Sequence, residues 1–109
     1  MKNNPSVNTT YTENYIEGNN IVLPQLTGNT VCTVQNIPDG ATGTISVQQD
    51  DPVRTWNLTL KDDAGTPATL TQIRYSSESD LIQTVNKWTK IIYTRMGSNV
   101  EVSYSHQQN

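Results

Sequence analysis

Trp56-Asn57-Leu58-Thr59-Leu60 alternates apolar and polar residues at strict period two, and Thr44–Gln48, Thr71–Tyr75 and Val100–Tyr104 repeat the alternation. Successive side chains of a strand point to opposite faces, so such a pattern is stable only as a strand with one face buried. Ile21-Val22-Leu23 (stopped by Pro24), Thr30–Val34 and Trp88–Thr94 add short apolar or β-branched runs. The runs are separated by Asn36-Ile37-Pro38-Asp39-Gly40, Asp62-Asp63-Ala64-Gly65 and Met96-Gly97-Ser98-Asn99. In these segments Pro presets φ and Gly accepts a positive one, as turns require. About seven short strands spaced by turns predict an all-β chain, an antiparallel β-sandwich of jelly-roll-like form over residues 21–109. Trp56, Leu58, Leu60, Ile45 and Val47 supply one inner face; Ile91, Tyr93, Val100, Val102 and Tyr104 supply the other. Ile73, Tyr75, Ile92 and Trp88 are left over and suit a neighbouring subunit.

Residues 1–20 read differently. Met1–Asn20 is rich in Asn, Thr, Ser and Glu, and its apolar residues Val7, Tyr11, Tyr15 and Ile16 follow no period. Such a segment cannot order itself by burial. It predicts an extended N-terminal arm that anchors to a partner through Val7, Tyr11, Tyr15 and Ile16, tyrosine being suited to this by its large contact area and polar tip. In Ser79–Trp88, Leu81, Ile82, Val85 and Trp88 fall at helical spacing, but Thr84, Val85 and Thr89 are poor helix formers. An irregular connection is expected there, with a single helical turn as the alternative.

Composition then limits what the fold can do. The chain has 109 residues, 33% hydrophobic, with no Phe. For a chain of this size, burial and chain entropy come close to balance. The single cysteine, Cys32, excludes a disulfide, and no Cys/His cluster offers a structural metal. Association with copies of itself or with a partner is the remaining source of burial. The net charge of -3 and the scattered Lys61, Arg74, Lys87, Lys90 and Arg95, read as solvated, give no basic stripe, so no nucleic-acid partner is expected. No apolar leader and no membrane-spanning run is present, which reads as synthesis in a cytoplasm, no membrane partner, and a reduced, buried Cys32.

Nothing in the pattern places a catalytic residue. Cys32 sits mid-strand and the sole histidine, His106, lies near the C-terminus, so no thiol–imidazole pair is set up. Asp50, Asp51, Asp62, Asp63, Glu78 and Asp80 occupy turn contexts. Paired Asp at a turn is ordinary turn chemistry, although a weak ion site at Asp50 and Asp51 is left open. Asp62-Asp63-Ala64-Gly65 lacks the spacing of a calcium loop. No phosphate loop or nucleophile elbow occurs. Catalytic residues, cofactors and metal ligands are all expected to be absent. Asn8-Thr9-Thr10 and Asn57-Leu58-Thr59 match the N-glycosylation pattern, which has no meaning without a secretory signal. Trp88, Tyr93 and Tyr75 are candidate glycan or subunit contacts, and Trp56 a further stacking candidate; core or interface packing is the competing role.

The Thr-Asn-Gly texture, Thr55-Trp56-Asn57-Leu58-Thr59-Leu60-Lys61-Asp62-Asp63-Ala64-Gly65, and the later Leu81…Asn86-Lys87…Ile91-Ile92-Tyr93…Gly97-Ser98-Asn99-Val100-Glu101-Val102-Ser103-Tyr104 resemble the small β-sandwich modules of tailed-bacteriophage fibre and decoration proteins. The likeness is one of texture and order of elements, and it runs from about Thr27 to Tyr104. It implies a virion structural protein, homo-oligomeric and most simply a trimer, exposed on the particle surface. Such a protein attaches to a capsid or other virion protein through residues 1–20 and carries an outward head. The short chain without a shaft favours a head fibre or capsid decoration over a tail-fibre module. The alternative function is a carbohydrate- or receptor-binding module contacting host glycans.

Overall fold

A computed structural model describes residues 9–74 and 84–107. The chain is all-β and arranged in two sheets. Its strands are β1 (Thr9–Asn14), β2 (Asn20–Val22), β3 (Thr30–Ile37), β4 (Thr42–Gln48), β5 (Trp56–Asp62), β6 (Thr71–Ile73), β7 (Trp88–Met96) and β8 (Asn99–His106), with one 3-10 turn at Tyr15–Glu17. The three-stranded sheet has the order β1-β3-β5 and the five-stranded sheet the order β2-β4-β7-β8-β6.

The strands do not follow an antiparallel jelly-roll sandwich. From β1 to β5 the chain alternates between sheets, laying one strand in each on every pass, so β1, β3 and β5 are mutually parallel and β2 is parallel to β4. This is a solenoid-like arrangement. Among the described strands β4·β7 and the β7–β8 hairpin are antiparallel, an isolated antiparallel bridge joins Lys61 to Thr69, and β6 returns parallel to β8. Ile45 and Val47 therefore share a sheet with Ile91 and Tyr93 and face Leu58 and Leu60 across the core, a different partition from the one the alternation implied. The residues expected in the core lie inside even so, except that Tyr104 is only partly buried against it. Ile45, Val47, Leu60, Ile91, Tyr93 and Val100 are fully buried, Trp56, Leu58 and Val102 nearly so, and Leu26 and Ile37 complete the interior.

Local chemistry explains the turns. Gly40 (φ 81°) and Gly97 (φ 66°) take the left-handed region at the β3–β4 turn and the two-residue β7–β8 hairpin. Asp39 Oδ1 accepts the Gly97 N–H at 2.8 Å and ties the two turns together. Arg95, expected to be a solvated cation, is instead built in: Nη1 donates to the Ile37 carbonyl (2.8 Å) and to Asp63 Oδ1 (3.0 Å), and Nε donates to the Gly97 carbonyl (2.7 Å). Segment 84–87 is a turn held by Lys87 N–H to Thr84 O, and Trp88 opens β7. Residues 75–83, which include Tyr75 and most of the connection expected in Ser79–Trp88, lie outside the described residues, as does Val7.

Gln49 is the most committed buried polar group. It is fully buried; Oε1 accepts the N–H groups of Asp50 (2.8 Å) and Arg54 (2.9 Å), and Nε2 donates to the Arg54 carbonyl (3.2 Å). One side chain thus satisfies three backbone groups of the β4–β5 connection. Gln49→Leu leaves all three unpaired, and each orphan costs about 1–3 kcal/mol. The variant is expected to lose about 3 kcal/mol of stability in urea denaturation, with β4 and β5 themselves intact.

The accessible surface of 6020 Å² matches the roughly 6,000 Å² expected of a folded monomer of 12.1 kDa. A deficit of burial therefore does not by itself demand a partner. The sheet edges are where association would add pairing. Among the described residues no helix is long and apolar enough to cross a membrane.

Candidate binding surface at the open end

Both sheets end together at β1 and β2. Thr9 N–H donates to the Asn29 carbonyl (2.7 Å), which fixes the parallel register Thr9↔Thr30. In a parallel ladder a residue directs its N–H and C=O to the same side. Thr9, Tyr11 and Glu13 therefore bond to β3, while the backbone groups of Thr10 and Thr12 point away from the sheet. In the other sheet Thr44 N–H donates to Asn19 O (2.8 Å) and Leu23 N–H to Ser46 O (3.0 Å), so the backbone of Asn20 and Val22 faces outward at the same end. Ile16 is 76% and Val22 64% exposed beside these strands. A cavity of about 400 Å³ opens here, lined by Tyr11, Glu13, Glu17, Asn20, Ile21 and Leu23 among others.

The opposite edge of the three-stranded sheet is closed. Residues 68–72 run back along β5: Asp62 N–H donates to Ala68 O (3.0 Å), Leu70 N–H to Leu60 O (2.7 Å) and Gln72 Nε2 to Leu58 O (2.7 Å). Asp62 Oδ1 holds the turn by accepting the Ala64 and Ala68 N–H groups. These two bonds, the Ala68 bond first, draw its carboxyl below the usual carboxylate range.

The anchor residues expected in an extended arm are thus distributed over a folded rung. Tyr11 lies in β1, half-buried against the core. Tyr15 packs on the core from the 3-10 turn, and its hydroxyl donates to the Thr42 carbonyl at 3.1 Å. Ile16 alone of the described anchors projects into solvent. The arm boundary at residue 20 gives way for residues 9–20, because the bonds that order them reach across to β3 and β4 and no local period signals them. Val22 and the edge backbone of Thr10 and Thr12 were not singled out; the run of β-branched threonines at Thr9, Thr10 and Thr12 is the signal that favours a strand there.

The other candidates separate cleanly. Tyr93 is fully buried and Trp56 5% exposed, so neither is a surface contact. Tyr93 lies over Gly43, its cross-strand partner. Trp88 is 38% exposed on the outer face of β7. Asp50, left open as part of an ion site, is paired with Arg54 at 2.8 Å and also accepts the Asp51 N–H. Among the described residues no group of three or more His, Cys, Asp or Glu is placed to hold a metal.

Cys32 is fully buried in β3. Burial, with the Glu13 carboxylate adding to it, pushes its thiol up from 9.0 to about 12. The unfolded chain ionises near the lower value while the folded chain keeps its proton. The associated stability is complete below 9.0 and is lost as pH rises through about 12. Burial also raises Tyr93, with Tyr15 and Cys32 contributing, so its stability loss follows the same sign at still higher pH. Cys32→Ala is expected to flatten the alkaline limb of a stability–pH profile in part, and native Cys32 to resist thiol reagents until unfolding.

No family model, no curated protein and no solved structure matches the chain.

Proposed function

We propose that the chain is a non-enzymatic structural module of a tailed-phage particle. In this reading it is a homo-oligomeric, most simply trimeric, head fibre or capsid decoration protein held to the particle through its N-terminal region. One observation carries the attachment reading: among the described residues the outer edge of β1 is unpaired within the segment assigned to anchoring, and the outer edge of β2 continues it from Asn20 to Val22. Natural proteins cover or blunt such edges, and among the described residues the β5 edge is covered while β1 and β2 have no neighbour on their outer sides. Strand addition at an open edge gives affinity through main-chain hydrogen bonds, with adjacent side chains supplying selectivity; Ile16 and Val22 are the apolar contacts available. The phage assignment itself draws on the sequence texture between residues 27 and 104.

Thr12→Pro combined with Val22→Pro tests the reading. Both positions direct their N–H outward, where proline is tolerated on an edge strand, so the fold is kept while strand addition is blocked. An antibody to the purified chain is expected to label tailed particles from cells carrying the wild-type gene, and to lose that label in the double variant. Equal labelling by both, or label confined to particle-free supernatant, overturns it.

A further inference from the structure

The outer face of the five-stranded sheet carries a groove apart from the open end. Lys90 on β7 pairs with Ser46 on β4 and Ser105 on β8, making one polar row across three strands. Two residues earlier Trp88, paired with Gln48, presents its exposed indole on the same face. A shallow groove of about 360 Å³ runs between them. The Trp88 backbone is held from both sides: its amide N–H donates to Gln107 Oε1 (3.0 Å), its carbonyl accepts the Gln107 N–H (2.8 Å), and Gln49 N–H holds the Lys87 carbonyl (3.0 Å) just before it. The side chains of Ser46, Lys90 and Ser105 make no hydrogen bond to any described residue.

The geometry points to a saccharide-binding groove in which the Trp88 indole stacks on the apolar face of a pyranose ring and Ser46, Lys90 and Ser105 hydrogen-bond its hydroxyls. Strands lie about 4.8 Å apart and alternate residues about 6.6 Å along a strand, the scale of one sugar ring and its substituents. An amphipathic aromatic on a fixed strand backbone beside a few polar groups is how small-ligand sites fix orientation. A protein partner fits less well, because a stable interface covers about 800 Å² on each side and would have to pair or strand the uncommitted Lys90 ammonium and serine hydroxyls. A nucleic acid lacks the electrostatic support it needs, since among the described residues Lys90 is the only Lys or Arg lining the groove and the chain carries a net charge of -3. This inference stands apart from the assembly reading and uses none of its residues.

The test is heteronuclear NMR of the full chain titrated separately with lactose, maltose, cellobiose, sialyllactose and AMP at millimolar concentration. At least one sugar is expected to shift the Trp88 indole N–H and the amides of Lys90 and Ser105, leaving the buried Trp56 indole unmoved. Trp88→Ala is expected to weaken that binding by roughly tenfold or more, the loss of one anchor residue, with an unchanged thermal melt. Trp88→Phe is the second variant, which retains a ring and part of the affinity. No shift from any of the four sugars, shifts that survive Trp88→Ala, or a response to AMP alone overturns the proposal.

Discussion

Gly43→Val is expected to be the most damaging single substitution in the described core. Gly43 sits in β4 directly opposite Tyr93 of β7, and a Cβ at position 43 would fall within the Tyr93 hydroxyl and ring. The aromatic ring occupies the space a side chain would take, which compensates the strand for its glycine. Tyr93 is itself fully buried, so it has no solvent-facing rotamer to escape into without emptying the centre of the core. Overpacking of a tight core costs about 1–3 kcal/mol and occasionally more; here the upper end is expected, because the clash is with the hydroxyl and adjoining ring carbons of a fully buried aromatic rather than with the tip of a flexible exposed chain. Urea denaturation measures it. Gly43→Val with Tyr93→Ala is expected to recover part of the loss, since the second change vacates the contested space. Absence of any recovery would show that the cost of the valine lies elsewhere than in the ring.

Proline placed at two adjacent positions of β1 is expected to have opposite consequences. Glu13 directs its N–H to β3, so Glu13→Pro removes a ladder bond and breaks the first rung away from the sheet. The β3 acceptor it strands costs about 1–3 kcal/mol. Thr12 directs its N–H outward, and Thr12→Pro is expected to change stability by less than about 1 kcal/mol. The contrast depends on parallel pairing in the register Glu13↔Val34. If both prolines were equally harmless, residues 9–14 would not be part of the folded sheet; if Thr12→Pro were the harmful one and Glu13→Pro the harmless one, the register would be displaced by one residue.

That pair of variants also marks the boundary of what local sequence reveals. β4, β5, β7 and β8 are legible because each alternates at period two, and the Gly40 and Gly97 turns are legible because their residues suit a positive φ. Period two does not distinguish parallel from antiparallel neighbours, so the alternating passage of β1 to β5 between sheets is invisible to it. β1 offers only Tyr11 as a large apolar residue, and its order comes from β3, whose paired residues lie far along the chain. Arg95 misleads for a related reason: its stem crosses from β7 to the end of β3, and its three contacts include two backbone carbonyls that no side-chain pattern reports. Of the candidate contacts, Trp88 and Tyr93 look alike in sequence. Their difference is one of strand parity, which places Tyr93 with Ile91 in the core and Trp88 with Lys90 and Ile92 outside.

The central claim is that this chain works as an assembly unit, and the mass of the purified protein in solution tests it most directly. Light scattering across a range of concentrations is expected to give three times the 12.1 kDa protomer. A mass of one protomer at every concentration would contradict it.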